Sequence, residues 1–130
     1  MGRYVSIIFA ALLSGCAWHG PAPAQVFAGV SASDEILALD EAAWKLVAVQ
    51  NRSIERQGDG RMTVQVELAN LSAMDLSVQV STLFRDGQGM PISNGTPFEM
   101  MVIPGNGSQL YEVTSLNRNP ESFTVQIKTP

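Results

Sequence analysis

The chain has 130 residues, 8 basic and 12 acidic, for a net charge of −4, and carries a single cysteine and a single histidine. The charges are scattered and no cluster of Lys and Arg appears, which excludes charge-driven binding to nucleic acid or to an anionic lipid surface. One cysteine excludes an internal disulfide, and with His19 as the only histidine a His-based metal site or catalytic triad is excluded as well.

The first fifteen residues read as a secretory signal. Arg3 precedes an apolar run from Val5 to Leu13, and Ser14 and Gly15 supply the small residues of a cleavage site. The run is shorter than the roughly 20 residues a membrane-spanning helix needs. Its Leu13-Ser14-Gly15-Cys16 ending resembles the bacterial lipobox, in which the cysteine thiol receives a diacylglycerol and becomes the new N-terminus. The competing reading is an ordinary cleavage near Ala22-Pro23-Ala24 with Cys16 incidental. The lone cysteine stands where a lipobox needs it, and lipidation would also account for an unpaired thiol in an exported chain. Each buried methylene of an acyl chain adds about 0.8 kcal/mol, so two or more chains, palmitate among them, hold a protein at the bilayer permanently. Ala17 follows the cysteine where lipoproteins retained at the inner membrane often carry Asp. An outer-membrane location facing the periplasm is therefore expected.

Loss of the signal removes only Arg3 among the charges, leaving 7 basic and 12 acidic residues and a mature net charge of −5. Residues 16–33 contain Ala, Gly, Pro and Ser without charge or periodicity, the composition of a flexible linker that would lift the folded part off the membrane. Trp18 and His19 read as linker residues, although an aromatic ring so close to the anchor also suits the interface.

Residues 34–130 are expected to form one β-sandwich domain. Between Asp34 and Gln50 two patterns compete: Ile36, Leu39, Ala43, Leu46 and Val47 fit a helical stripe, whereas Leu46-Val47-Ala48-Val49 suits a strand. Two short strands, at about 35–39 and 45–52, fit the all-β neighbourhood better. From Arg61 to Asn70 the alternation is plain: Met62, Val64, Val66 and Leu68 take one face and Thr63, Gln65, Glu67 and Ala69 the other. Leu76, Val78 and Val80 open a further strand that continues through Leu83 and Phe84, and the Asn70–Asp75 stretch reads as a hairpin connection. Asp86-Gly87-Gln88-Gly89 is a turn, since a calcium loop requires more spaced oxygen ligands and a terminal Glu. Strands at 97–103, 108–114 and 122–128 follow, with Pro104-Gly105-Asn106-Gly107 as a hairpin turn between the first two. About seven short strands at this spacing predict an all-β sandwich.

The lipobox, then Val66-Glu67-Leu68-Ala69-Asn70, Leu83-Phe84-Arg85-Asp86-Gly87-Gln88-Gly89, Pro97-Phe98 and Val102-Ile103-Pro104-Gly105 together resemble the YcfL-type family of small periplasmic lipoproteins. The likeness runs over roughly residues 35 to 128 and rests on turn and core signatures. Ser81, Thr82 and Leu83 depart from the family's aromatic-rich strand, and Phe98 stands where Trp is usual. The resemblance implies an immunoglobulin-like β-sandwich, no established biochemical activity and no catalytic residues to carry over. It also favours the strand reading of Asp34–Gln50.

Chemistry is sparse. Glu67, Asp75, Asp86, Glu99 and Glu112 are isolated on strand faces or at turns, so no paired carboxylates are expected. No nucleophile elbow, phosphate-cradling loop or zinc spacing occurs, and no enzyme activity, metal or cofactor is expected. Cys16, the lipidation site, is the one residue with specific chemistry. A sandwich presents edge strands to partners, and Arg85, Phe98, Tyr111 and Trp44 are the candidate partner-binding residues. The function expected is that of a non-catalytic lipoprotein holding a periplasmic protein partner in the cell envelope. The alternatives are a pilotin-like accessory subunit of a secretion or conjugation apparatus, and an enzyme or small-ligand carrier, which would need a deep pocket.

Overall fold

The computed structural model describes residues 24–29, 34–92 and 95–130. The signal segment 1–15, Cys16 and residues 17–23 of the expected linker lie outside them. Within them the chain forms β1 (Gln25–Gly29), β2 (Glu35–Ala38), α1 (Glu41–Leu46), β3 (Val47–Arg56), β4 (Met62–Asn70), β5 (Leu76–Arg85), β6 (Glu99–Ile103), β7 (Ser108–Thr114) and β8 (Ser122–Lys128). A five-stranded sheet in the order β1-β2-β8-β5-β6 packs on a three-stranded sheet in the order β3-β4-β7. The all-β sandwich expected from the alternation is what the chain adopts, with eight strands among the described residues.

The alternating residues meet between the sheets. Ile36, Val78, Val80, Phe123, Val125 and Ile127 come from one sheet, and Val47, Val64, Val66, Leu68 and Tyr111 from the other. Phe123, Val64, Val66 and Leu68 are fully buried. Burying a side chain of this size contributes roughly 1.5–3 kcal/mol relative to exposure. A one-residue slip of β4 would turn Gln65 and Glu67 into this core, so the pattern pins the register.

The extra strand corrects the linker. Gln25–Gly29, expected to be flexible spacer, pairs antiparallel with β2, with a bulge at Phe27. Phe27 packs against the core, so burial of a ring is what draws this segment into the sheet. The stretch 34–50 also differs in part. β2 and β3 are strands as expected, but a six-residue helix joins them. Asp40 starts it: one carboxylate oxygen accepts the Ala43 N–H at 2.8 Å, as an N-cap does. Glu41 in the first turn and Lys45 four residues later complete a locally consistent helix.

Two expected hairpins are instead crossovers between sheets. β4 and β5 do not pair, and residues 71–75 carry the chain from the three-stranded to the five-stranded sheet. Asn70, only 3% exposed, holds this crossover. Its amide donates to the carbonyls of Met74 (2.7 Å) and Ile103 (3.0 Å), and its oxygen accepts from the Ser72 N–H (2.9 Å) and hydroxyl (2.7 Å). The Pro104–Gly107 turn likewise passes from β6 to β7 across the sandwich. Gly105 is required there, because a Cβ would lie 2.2 Å from the Ala73 carbonyl oxygen.

Candidate functional site

Each sheet has two outer strands, and among the described residues β6 exposes two large apolar side chains on one face. Met100 and Val102 pair with Gln79 and Ser77, which places them on the outward face of the five-stranded sheet. They are 59% and 52% exposed. Phe98, 38% exposed, precedes them, and the Lys128 ammonium lies 4.1 Å from its ring centroid. This cation–π contact orients the ring on the same face. Phe98, Met100 and Val102 thus form an apolar row along an outer strand.

The four residues expected to bind a partner do not come together. Tyr111 pairs with Val66, and that register turns its ring into the core. It is 4% exposed, its hydroxyl lies 2.7 Å from the Thr82 hydroxyl, and burial pushes its pKa above the usual value. Tyr111 is therefore a structural residue and not part of a surface patch. Arg85 ends β5 on the outward face, five residues from Val80, the residue opposite Glu99, or about 17 Å along the strand. Its guanidinium donates to the Gly89 carbonyl at 3.4 Å, and its buried Nε has no partner among the described residues. Trp44 lies on α1, its ring 5.2 Å from that of Phe27, and so belongs to the β1 edge, four strands away from β6. Of the four, Phe98 alone has exposed apolar neighbours on an outer strand. Met100 and Val102 were hidden in the sequence inside an apolar run, where the alternation that separates inward from outward cannot be read.

A second surface was not anticipated. The outward face of the three-stranded sheet is a polar lattice. Asn51 and Ser108, from strands on either side, both donate to Glu67 at 3.0 Å, and Gln65 donates to Glu112 at 2.6 Å. The side-chain hydrogen bonds from Asn51 and Ser108 hold the Glu67 carboxyl below the usual glutamate range. A shallow depression of about 200 Å³ lies here, lined by Asn51, Arg52, Gln65, Glu67 and Leu110. A second, of about 170 Å³, opens at the seam by Phe84, Pro97 and Leu116. Ligand pockets usually enclose roughly 300–1,000 Å³, and both depressions are smaller. The alternation of Gln65 and Glu67 signalled a polar face, but their cross-strand partners depend on pairing with β3 and β7.

The acidic residues singled out from the sequence are engaged singly. Asp86 accepts the backbone N–H groups of Gln88 and Met90, which confirms the turn at that position, and Asp75 accepts the Gly105 N–H. Asp40 spans two elements, one oxygen capping α1 and the other accepting both the Thr129 N–H and hydroxyl at 2.8 Å.

No family model and no curated protein matches the chain. Solved structures that share its fold include two from bacteria. One is that of Campylobacter jejuni cj0090, with a TM-score of 0.60 over 73% of this chain and 97% of that one, at 13% identity. The other is that of a DUF1425 family member from Shewanella sp. PV-4, with a TM-score of 0.58 over 65% of this chain and 78% of that one, at 14% identity. At such identity the likeness is one of fold, and neither name indicates a catalytic family.

Proposed function

We propose that this chain is a non-catalytic lipoprotein, anchored through Cys16 to the periplasmic face of the outer membrane, whose sandwich binds a protein partner of the cell envelope along β6. The observation that carries the reading is the placement of the only cysteine directly after an apolar run and Leu-Ser-Gly. The resemblance to YcfL-type lipoproteins supports it, since DUF1425, the family of one fold neighbour, is the YcfL-like family. The row of Phe98, Met100 and Val102 supports the partner-binding half. An outer strand offers unpaired backbone groups for strand addition, and alternate side chains supply specificity. The non-catalytic reading is supported by Asp86, Asp75, Asp40, Glu67 and Glu112, which serve a turn, a crossover, a cap or a cross-strand bond.

Cells making the wild-type chain and Cys16→Ala are labelled with palmitate and fractionated. Wild type is expected to take up label and fractionate with outer membranes, and Cys16→Ala to do neither. A Cys16→Ala protein that still fractionates with membranes refutes the anchor. A photo-crosslinker at Met100 is expected to capture an envelope protein, and capture of a secretion-machinery subunit would favour the accessory-subunit role. If Phe98→Ala with Val102→Ser leaves the partners crosslinked from position 100 unchanged, β6 is not the binding edge.

A further inference from the structure

The strand at Gln25–Gly29 changes the distance between anchor and domain. With β1 in the sheet, only residues 17–24 separate Cys16 from the sandwich, at most about 30 Å of fully extended chain. The chain enters at Gln25 opposite Ala38, and β2 in turn runs parallel to β8 with Ala38 beside Ile127. Ile127 pairs with Val80 in the first half of β5, so the entry point lies at the end of the sandwich that carries α1, the 71–75 crossover and the 104–107 turn. Leu71 donates its N–H to the Leu46 carbonyl at 2.8 Å, which joins the crossover to the helix. β5 is ten residues long, about 33 Å, so the opposite end stands a further strand length from the anchor.

The anchor end is the one whose projecting side chains suit a lipid interface. Trp44, Leu71 and Met74 are 38%, 60% and 78% exposed. Trp is the residue most at home at the headgroup level, where its apolar ring and polar N–H are both accommodated. The acidic side chains here are all engaged. Glu41 and Lys45 form an ion pair, Asp40 is saturated by backbone and hydroxyl donors, and Asp75 accepts from Gly105. Arg56, Arg61, Asp59, Arg85 and Asp86 lie at the other end, at the β3–β4 and β5–β6 turns. Exposure alone does not select a membrane face, since Leu116 is 90% exposed at that far end. Short reach from the anchor does, because only residues 17–24 separate Cys16 from this end.

We infer that the anchor end of the sandwich rests on the bilayer, with Trp44, Leu71 and Met74 entering the headgroup boundary of zwitterionic phospholipid. The inference rests on the anchoring proposed above. The linker then acts as a short leash that holds the domain down, and the β3–β4 and β5–β6 turns face the periplasm.

The test uses the full mature lipoprotein carrying Trp18→Phe, so that Trp44 is the only tryptophan. It is reconstituted into phosphatidylethanolamine–phosphatidylcholine vesicles with and without brominated acyl chains. Met74→Cys and Leu116→Cys variants carry an environment-sensitive fluorophore, Cys16 being blocked by lipid. Expected are quenching of Trp44 by the brominated lipid, and a blue shift with several-fold protection from aqueous iodide at position 74. The label at position 116 should stay as accessible as in buffer. Protein that floats with the vesicles but shows Trp44 unquenched and both labels equally accessible overturns the inference and leaves the anchor standing. Protein that does not float removes the anchor, and the membrane seat falls with it. A blue shift at position 74 that grows with protein concentration in the absence of vesicles assigns the surface to a second copy of the chain and overturns the lipid.

Discussion

Replacing Asn70 with alanine should be among the more damaging single polar substitutions in this domain. The side chain is 3% exposed and makes four hydrogen bonds, two as donor to Met74 and Ile103 and two as acceptor from Ser72. At about 0.5–1.5 kcal/mol net for each bond, the sum is roughly 2–6 kcal/mol. The upper part of that range does not apply, because Met74 and Ser72 lie on the surface crossover and regain water. The Ile103 carbonyl is buried and does not, which costs about 1–3 kcal/mol by itself. A destabilisation of about 2–4 kcal/mol is therefore expected, measured by urea unfolding followed by circular dichroism on the mature chain with Cys16→Ala. Ser72→Ala removes one hydroxyl from the same network and should cost no more than about 1 kcal/mol. If the two variants are equally stable, the crossover is not held by Asn70 and the account of its path fails.

Tyr111→Phe should destabilise by about 1–2 kcal/mol, because the fully buried Thr82 hydroxyl loses its partner, while photo-crosslinking from Met100 stays unchanged. Tyr111 is also the only tyrosine after the signal segment, so its absorbance can be titrated alone. Its raised pKa contributes stability that is present below about pH 10 and lost as the pH rises through the folded-state value. Titration of the folded protein at the free-tyrosine value would contradict the buried placement. Asp40 gives the opposite sign. Desolvation works to raise its pKa, but the donors of Ala43 and Thr129, with Lys128 nearby, outweigh it and hold the carboxyl below the ordinary value. Its contribution is present above about pH 4, the unfolded-chain range, and is lost as the pH falls through the lower folded value. Asp40→Asn should flatten the acid side of a stability–pH curve; an unaltered acid limb would show that the bridge from α1 to Thr129 carries no weight.

The expectations that held and those that did not divide along a physical line. The strands at 62–70, 76–85 and 122–128 were legible because apolar residues alternate with more polar ones along each, so the period of two writes the core-facing positions directly into the residue order. The turn at Asp86 was legible because its carboxylate bonds backbone groups two and four residues on. α1 was obscured by its length: six residues carry less than two turns of periodicity, and Asp40, its cap, is also tied to Thr129 at the far end of the chain. β1 was missed because it is an outer strand of small and mixed residues whose recruitment depends on Phe27 finding the core and on β2 lying alongside. The hairpin expectations at 70–75 and 104–107 failed because a tight turn between two strands reads the same whether they pair or cross to opposite sheets.

Local chemistry was sufficient to indicate the all-β character and the inward faces of the main strands, because each depends on residues alternating along the chain. Which candidate residues face solvent was decided by pairing. Register with Val66 buried Tyr111, register with Gln79 and Ser77 exposed Met100 and Val102, and the sheet order set Trp44 apart from Phe98. A residue's face on an isolated strand is a two-way choice, and only contact with the second sheet determines which of the two is the surface.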